Sequence, residues 1–165
     1  MSPTRRQFCA AGVAVTLGGC LGSSGEKETS EEKAEWSWSG SVPVESAVQY
    51  HDSSCGCCAE YVAYLKDNEF SVRVEEPSNL AAKKTELSVP EEVRSCHTTV
   101  FGEHLVEGHV PLQAIEALFE SDTEPLGIAL PGMPQHSPGM GPRGDEPLTI
   151  YAFEEDGESY EYIRV

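Results

Sequence analysis

Three thiols stand within four residues at Cys55-Gly56-Cys57-Cys58, where an alternating, extended pattern gives way to a helical one, and a Cys96-His97 pair follows some forty residues later. Packing gives no reason to crowd three rare side chains into one turn. A thiol at a helix start faces unpaired backbone N–H groups and the positive end of the helix dipole, which favours its thiolate over a free thiol of pKa about 8.5. Such thiolates attack disulfides or bind soft metal ions, so the fold of the chain is constrained to serve that turn.

The surrounding pattern supplies a fold of this kind. Val44 to His51 alternates as a first strand, with Val44, Val48 and Tyr50 as its inward residues, and ends at the Asp52-Ser53-Ser54 turn, where Ser54 is an N-cap residue. From Cys57 the period becomes helical, with Cys58, Tyr61, Val62 and Leu65 on one face and a stop near Asn68. Phe70 to Val74 makes a second strand, parallel to the first because a helix joins them. A helix from Asn79 to Leu87 follows, capped by Asn79 and ended by Pro90. Thr98–Phe101 and His104–His109 flank Gly102-Glu103 as a hairpin, and Pro111 opens a helix carrying Leu112, Ile115, Leu118 and Phe119 on one face. The order βαβ, α, ββ, α predicts a thioredoxin-like α/β fold: a mixed sheet with flanking helices, then a C-terminal Pro/Gly/Met loop and β-hairpin. In that fold the residue before the third strand faces the cysteine-bearing helix, which is where Cys96-His97 falls.

The N-terminus reads as an address. Thr4-Arg5-Arg6-Gln7-Phe8 has the twin-arginine export pattern, and the apolar run from Ala10 to Leu17 is far shorter than the ~20 residues of a membrane span. Leu17-Gly18-Gly19-Cys20 has the form of a lipoprotein processing site, at which Cys20 is acylated and becomes the mature N-terminus. The expected organisation is a signal peptide over 1–19, a flexible acidic tether over 20–43 and one domain over 44–165, held outside the cytoplasm on the membrane surface by its lipid. Cys9 leaves with the signal and Cys20 is lipidated, so four thiols remain for chemistry. Trp36 and Trp38 are out of character in a tether rich in Gly, Ser, Glu and Lys.

Eleven Lys and Arg against 28 Asp and Glu give a net charge of −17, more negative still once the two signal arginines are gone. Nucleic acid is thereby excluded as a partner, since its binding depends on basic side chains neutralising phosphates. Acidity spread evenly with little lysine fits a surface adapted to high salt, as in a halophile.

At this point the chain resembles a known family, the CopG-like metal-binding proteins catalogued as domain of unknown function 411 and often found beside copper-resistance functions. The resemblance covers about 50–153. It rests on Ser54-Cys55-Gly56-Cys57-Cys58, Val89-Pro90, Ser95-Cys96-His97-Thr98, Val106-Glu107-Gly108-His109-Val110-Pro111, Pro131-Gly132-Met133-Pro134 and Ser137-Pro138-Gly139-Met140. Two positions depart from the family pattern: Tyr61 stands where Trp is common, and His136 where Gly is common.

The donor set can be weighed without the family. Cys55, Cys57, Cys58 and Cys96 favour a soft ion, and the thioethers of Met133 and Met140 point to Cu(I) over Zn(II). Adjacent Cys57 and Cys58 diverge and do not readily join Cys55 on one tetrahedral ion, whereas thiolates bridging several Cu(I) ions relieve that constraint. Zinc stays open, because four cysteines and His97 can fill one closed site. His109 is either a ligand or neighbour of one, or an ordinary strand-end histidine. Met133 and Met140 either lid the site from their Pro/Gly-rich loop or fill core gaps. His51 and His104 are structural or solvent-facing, and Glu107 stands where it can orient a histidine.

Two roles compete on these residues. One is a cell-envelope copper protein that sequesters or delivers copper, or converts its oxidation state as a copper oxidoreductase, with other envelope copper-handling proteins as partners. The other is a thiol–disulfide oxidoreductase using Cys55 and Cys58, against which a further thiol at Cys96 counts because it would trap mixed disulfides. A disulfide-stabilised exported domain is the blander third.

Overall fold

The computed structural model describes Trp36, residues 38–40 and residues 42–165. The export signal, the processing site with Cys20 and most of the tether lie outside the described residues. Among the described residues no helix is long and apolar enough to cross a membrane.

The first unit is β1 (Ser46–His51), α1 (Gly56–Asp67) and β2 (Ser71–Glu75), with β1 and β2 parallel in the register Ser46 to Ser71. Then come α2 (Leu80–Glu86), a 3-10 turn over Glu91–Val93, β3 (His97–Phe101), β4 (His104–Glu107), α3 (Leu112–Phe119), β5 (Gly127–Ala129), β6 (Thr149–Phe153) and β7 (Ser159–Arg164). They build one seven-stranded mixed sheet in the order β2-β1-β3-β4-β5-β6-β7. The β3–β4 pair is antiparallel as expected, β4–β5 is parallel, and β6 and β7 pair antiparallel at the far edge.

Local signals account for most boundaries. The Asn79 side chain accepts from the Ala82 amide and caps α2, and Pro111 sits at the cap of α3. The start of α1 differs from expectation: Cys55, not Ser54, is its cap residue, and no side chain caps it. Asp52 instead accepts from both the amide and the hydroxyl of Ser54, while its carbonyl accepts from the Cys55 amide at 2.9 Å. An Asx turn therefore delivers the chain into the helix.

Both faces of the sheet are covered. Tyr61 and Leu65 of α1 and Leu112, Ile115 and Leu118 of α3 pack over Phe101, Val106, Ile128 and Ile150. On the other face Leu105, Ala129 and Phe153 meet Val89 and Val93 from the segment after α2. Adjacent Leu105 and Val106 thus enter different cores, as the two-residue period of a strand requires.

The parity of β1 is opposite to that read from the sequence. Ala47, Gln49 and His51 are buried, while Val44, Val48 and Tyr50 are half-covered. The reason is polar burial: the Gln49 side-chain nitrogen lies 2.8 Å from His51 Nδ1 and donates to the Cys58 carbonyl at 3.0 Å, so polar side chains occupy the covered face. Tyr50 is covered from the other side, with the Lys83 ammonium 4.8 Å from its ring centroid.

The two tryptophans assigned to the tether pack on the domain. Trp36 is buried in the main core with the Arg143 guanidinium over its ring. Trp38 stacks on Phe70 at 5.6 Å and donates to Asn68, and the Ser39 amide donates to Glu116 of α3. Burying a whole indole makes this segment part of the fold, so Trp36→Ala is expected to cost about 3–5 kcal/mol. Urea denaturation measures it, and an unchanged midpoint would mean that the segment contributes nothing to the domain.

Candidate metal centre

The N-terminal turn of α1 and the entry to β3 converge. The sulfur atoms of Cys55, Cys57, Cys58 and Cys96 all lie within 4.8 Å of one another. Cys58 is buried, and the other three are half-buried. Cys55 and Cys58 are joined by a disulfide, with Cα atoms 5.4 Å apart, while Cys57 and Cys96 are free thiols. Cys57 Sγ is 3.5 Å from Cys55 Sγ, and Cys58 Sγ is 3.8 Å from the Cys96 carbonyl oxygen. In this state two of the four sulfurs are withheld from a metal, and reducing the disulfide releases them.

A second group adjoins the first and shares Cys96 with it. Donor atoms of Cys96, His97 and His109 also lie within 4.8 Å of one another. Cys96 Sγ is 3.3 Å from His97 Nδ1. His109 Nδ1 lies 2.7 Å from the Pro138 carbonyl, which has no proton of its own, so Nδ1 carries the hydrogen and Nε2 the lone pair. Both histidines are fully buried, and neither Nε2 has a hydrogen-bond partner. The rings pack at 4.9 Å from each other and on Tyr61 at 4.7 and 5.2 Å, and Tyr61 itself donates to the Val110 carbonyl.

Burial sets the protonation of these groups. Burial pushes the His97 pKa well below its usual value, with the charges of His109 and Lys84 adding to the effect, and burial also lowers His109. Both rings are therefore neutral near pH 7 and present lone pairs. The Cys96 thiol is pushed up to about 12 by burial and by the neighbouring Cys57, so a metal must displace its proton and binding tightens as pH rises.

The remaining predicted residues separate into near and far. Met140 is half-buried and follows Gly139, where an added Cβ would lie 2.8 Å from the Tyr61 amide nitrogen, so the loop rests on α1. Met133 sits on the same loop with φ 47° and is 42% exposed. His136 packs beside Gly144, outside both donor groups. His51 is paired with Gln49, and His104 lies 3.0 Å from the Pro125 carbonyl and meets Phe119 edge to face.

Glu107, expected to orient a histidine, is engaged by other partners. Its fully buried carboxylate accepts from Lys84, from the Ser95 amide at 2.6 Å and from the Thr98 hydroxyl at 2.5 Å, and the Lys84 ammonium also donates to the Ser95 carbonyl. Thr98 and Glu107 are opposite each other in the β3–β4 register, so Glu107 grips the strand from the face away from His97. Lys84 has no sequence signal: a lysine in a polar helix reads as solvated, and only the fold reveals its partner.

Breaking this network is expected to be costly, because it strands a charge indoors. Glu107→Ala should lose about 3–5 kcal/mol, and Lys84→Met combined with Glu107→Gln should lose less than Glu107→Ala alone, as measured by urea denaturation. The buried histidines give a separate pH signature. The unfolded chain takes up a proton on each imidazole near pH 6.5 while native His97 stays neutral, so stability is complete above about 6.5 and falls as pH drops below it. The metal-free protein should lose denaturation midpoint between about pH 6.5 and 5.5, above the carboxylate range, and His97→Gln should flatten that slope.

Residues 93–140 match the model of a family described as protein of unknown function DUF411. A solved structure of a copper resistance protein CopG, Form 2, is 34% identical, with 73% of this chain and 97% of that one covered and a TM-score of 0.65. Its Form 1 is 33% identical, with 74% and 98% covered and a TM-score of 0.66. No curated protein sequence matches the chain. With nearly the whole of a CopG structure aligned at this identity, and with cysteines and histidines of this chain gathered into one cluster, the chain belongs to the CopG-like DUF411 family of metal-binding proteins.

Proposed function

We propose that this is a cell-envelope copper-binding protein that holds Cu(I) in a thiolate-bridged cluster. The observation that carries the proposal is the convergence of four cysteine sulfurs, from two segments distant in sequence, within 4.8 Å. Soft thiolates suit Cu(I), and neutral imidazoles from His97 and His109 add borderline donors at the edge of the same cavity. The ions are cargo here, and Cys55, Cys57, Cys58 and Cys96 are their principal ligands. Met140 and Met133, on the loop that rests on α1, are the thioether donors this reading adds. Copper resistance, delivery or oxidation-state conversion is the role this chemistry fits, and the names of the solved relatives support copper over zinc.

The fold is assigned to the thioredoxin-like class, supported by the parallel β1-α1-β2 unit, the antiparallel β3–β4 pair and cysteines at the start of α1. The twin-arginine pattern and Cys20 support export and lipid anchoring, and envelope copper proteins are the natural exchange partners.

The Cys55–Cys58 disulfide favours one second reading, dithiol exchange. Reduction of that bond takes two electrons and two protons and yields two thiols, and the reverse returns both to an oxidised partner. The two readings part at Cys57, which exchange does not need and a cluster does.

Reduced protein titrated with Cu(I) against a competing chelator should bind several ions per chain and prefer them to Zn(II). Cys57→Ser and Cys96→Ser should each abolish assembly of the multi-ion cluster, and Met133→Leu with Met140→Leu should lower affinity without unfolding. One tightly held zinc and indifference to copper would overturn the proposal. Brisk insulin reduction that survives Cys57→Ser would favour dithiol exchange instead.

A further inference from the structure

We infer that Cys96, His97 and His109 form a metal site of their own, which takes one copper or zinc ion and stays available when Cys55 and Cys58 are joined as a disulfide. The inference rests on reading this cavity as a metal centre. It differs in placing an ion where neither disulfide cysteine is needed.

The disulfide removes two donors from the four-sulfur group and none from the second group. Cys96 is a free thiol, and both imidazoles are fully buried. Two ligands at about 2.3 Å (sulfur) and 2.0 Å (nitrogen) from a tetrahedral ion stand about 3.5 Å apart. The 3.3 Å between Cys96 Sγ and His97 Nδ1 is close to that spacing. His109 adds the third donor through Nε2, because Nδ1 is committed to the Pro138 carbonyl, and that hydrogen bond fixes the tautomer and the ring plane as outer-shell partners of ligating histidines do.

The same Nε2 is the second line of support. It is fully buried and has no hydrogen-bond partner, as is His97 Nε2. Leaving such an atom unpaired costs about 1–3 kcal/mol, and an ion held by His109 Nε2 would relieve that cost. A thiolate with two imidazoles is a His2Cys set with an open position, suited to copper and zinc and unsuited to magnesium or calcium. Cys57 Sγ lies within 4.8 Å of Cys96 Sγ.

The consequence is unequal retention. Closing the Cys55–Cys58 disulfide expels ions that depend on those sulfurs, while the ion on Cys96, His97 and His109 stays. Because Cys96 belongs to both groups, the retained ion marks one end of the larger cluster and is the first bound when it refills.

Zn(II), which is redox-inert, tests this on the disulfide-intact protein. Elemental analysis after gel filtration should find one zinc per chain, and two histidine side chains should change their ring 15N shifts. Cys96→Ser or His109→Gln should weaken binding by more than the about 10- to 100-fold that loss of an outer-shell partner costs, and Cys57→Ser should leave one zinc bound. Should a histidine variant fail to fold, the Cys55→Ser, Cys58→Ser double variant supplies the same donor set without a disulfide and should hold one Cu(I) where the reduced wild type holds several. No zinc retained, zinc unaffected by His109→Gln, or histidine shifts that stay in place would overturn the inference and leave a buried water as the occupant. Failure of the cluster proposal would show separately, in the reduced protein with Cu(I).

Discussion

The Glu107 carboxylate, sealed from solvent at the end of β4, is the node from which the positions of Cys96, His97 and His109 follow. A carboxylate taken out of water costs several kcal/mol unless paired and fully hydrogen-bonded, and Lys84, the Ser95 amide and the Thr98 hydroxyl supply those partners. Meeting that requirement fixes the backbone on either side of Cys96-His97. The main chain beside Glu107 extends the control: its carbonyl accepts from Leu130, and the Gly108 amide donates to the His97 carbonyl. Gly108 has φ 79°, and a Cβ there would come within 2.7 Å of the Leu130 carbonyl and the Ser95 hydroxyl, so only glycine lets the chain turn from Glu107 into His109. A charge on the far face of the sheet thus sets the spacing of donors on the near face.

What the sequence revealed and what it concealed divide along physical lines. Elements with a local cause were legible: α2 from its Asn79 cap, α3 from Pro111 and its apolar stripe, and the parallel β1–β2 pair from the intervening helix. The gathering of Cys96-His97 against the first turn of α1 was legible because topology alone dictates it. The inward face of β1 was not, since Gln49 and His51 are buried by bonds to each other and to the Cys58 carbonyl, which no hydropathy pattern encodes. β5 was missed because it is three residues long and opens with Gly127, whose Cβ would clash with the Leu105 carbonyl. Trp36 and Trp38 looked misplaced because their partners, Arg143, Asn68 and Phe70, come from elsewhere in the chain.

The disulfide and the metal proposal use the same local geometry. Cys55 at the cap and Cys58 one turn later stand 5.4 Å apart at Cα, near enough for their sulfurs to bond when oxidised and to share an ion when reduced. The helix turn therefore holds both donors at bridging distance in either state. Cys57 lies between them, half-buried and 3.5 Å from Cys55, and it is the cysteine whose presence a simple dithiol leaves unexplained.

Charge balance bears on how many ions such a cavity takes. Four thiolates crowded within 4.8 Å repel one another, and repulsion between neighbouring anions holds some of them protonated unless cations intervene. The buried cation at hand, Lys84, is already matched by Glu107 on the other face. His97 and His109 are neutral donors and add no positive charge. In the proposed cluster compensation would come from the bound ions: one Cu(I) among four thiolates leaves a net charge of −3, whereas each further Cu(I) shared through bridging sulfur brings the group nearer to neutrality. The closeness of the four sulfurs and the commitment of Lys84 to Glu107 together support the proposed reading of several ions over one.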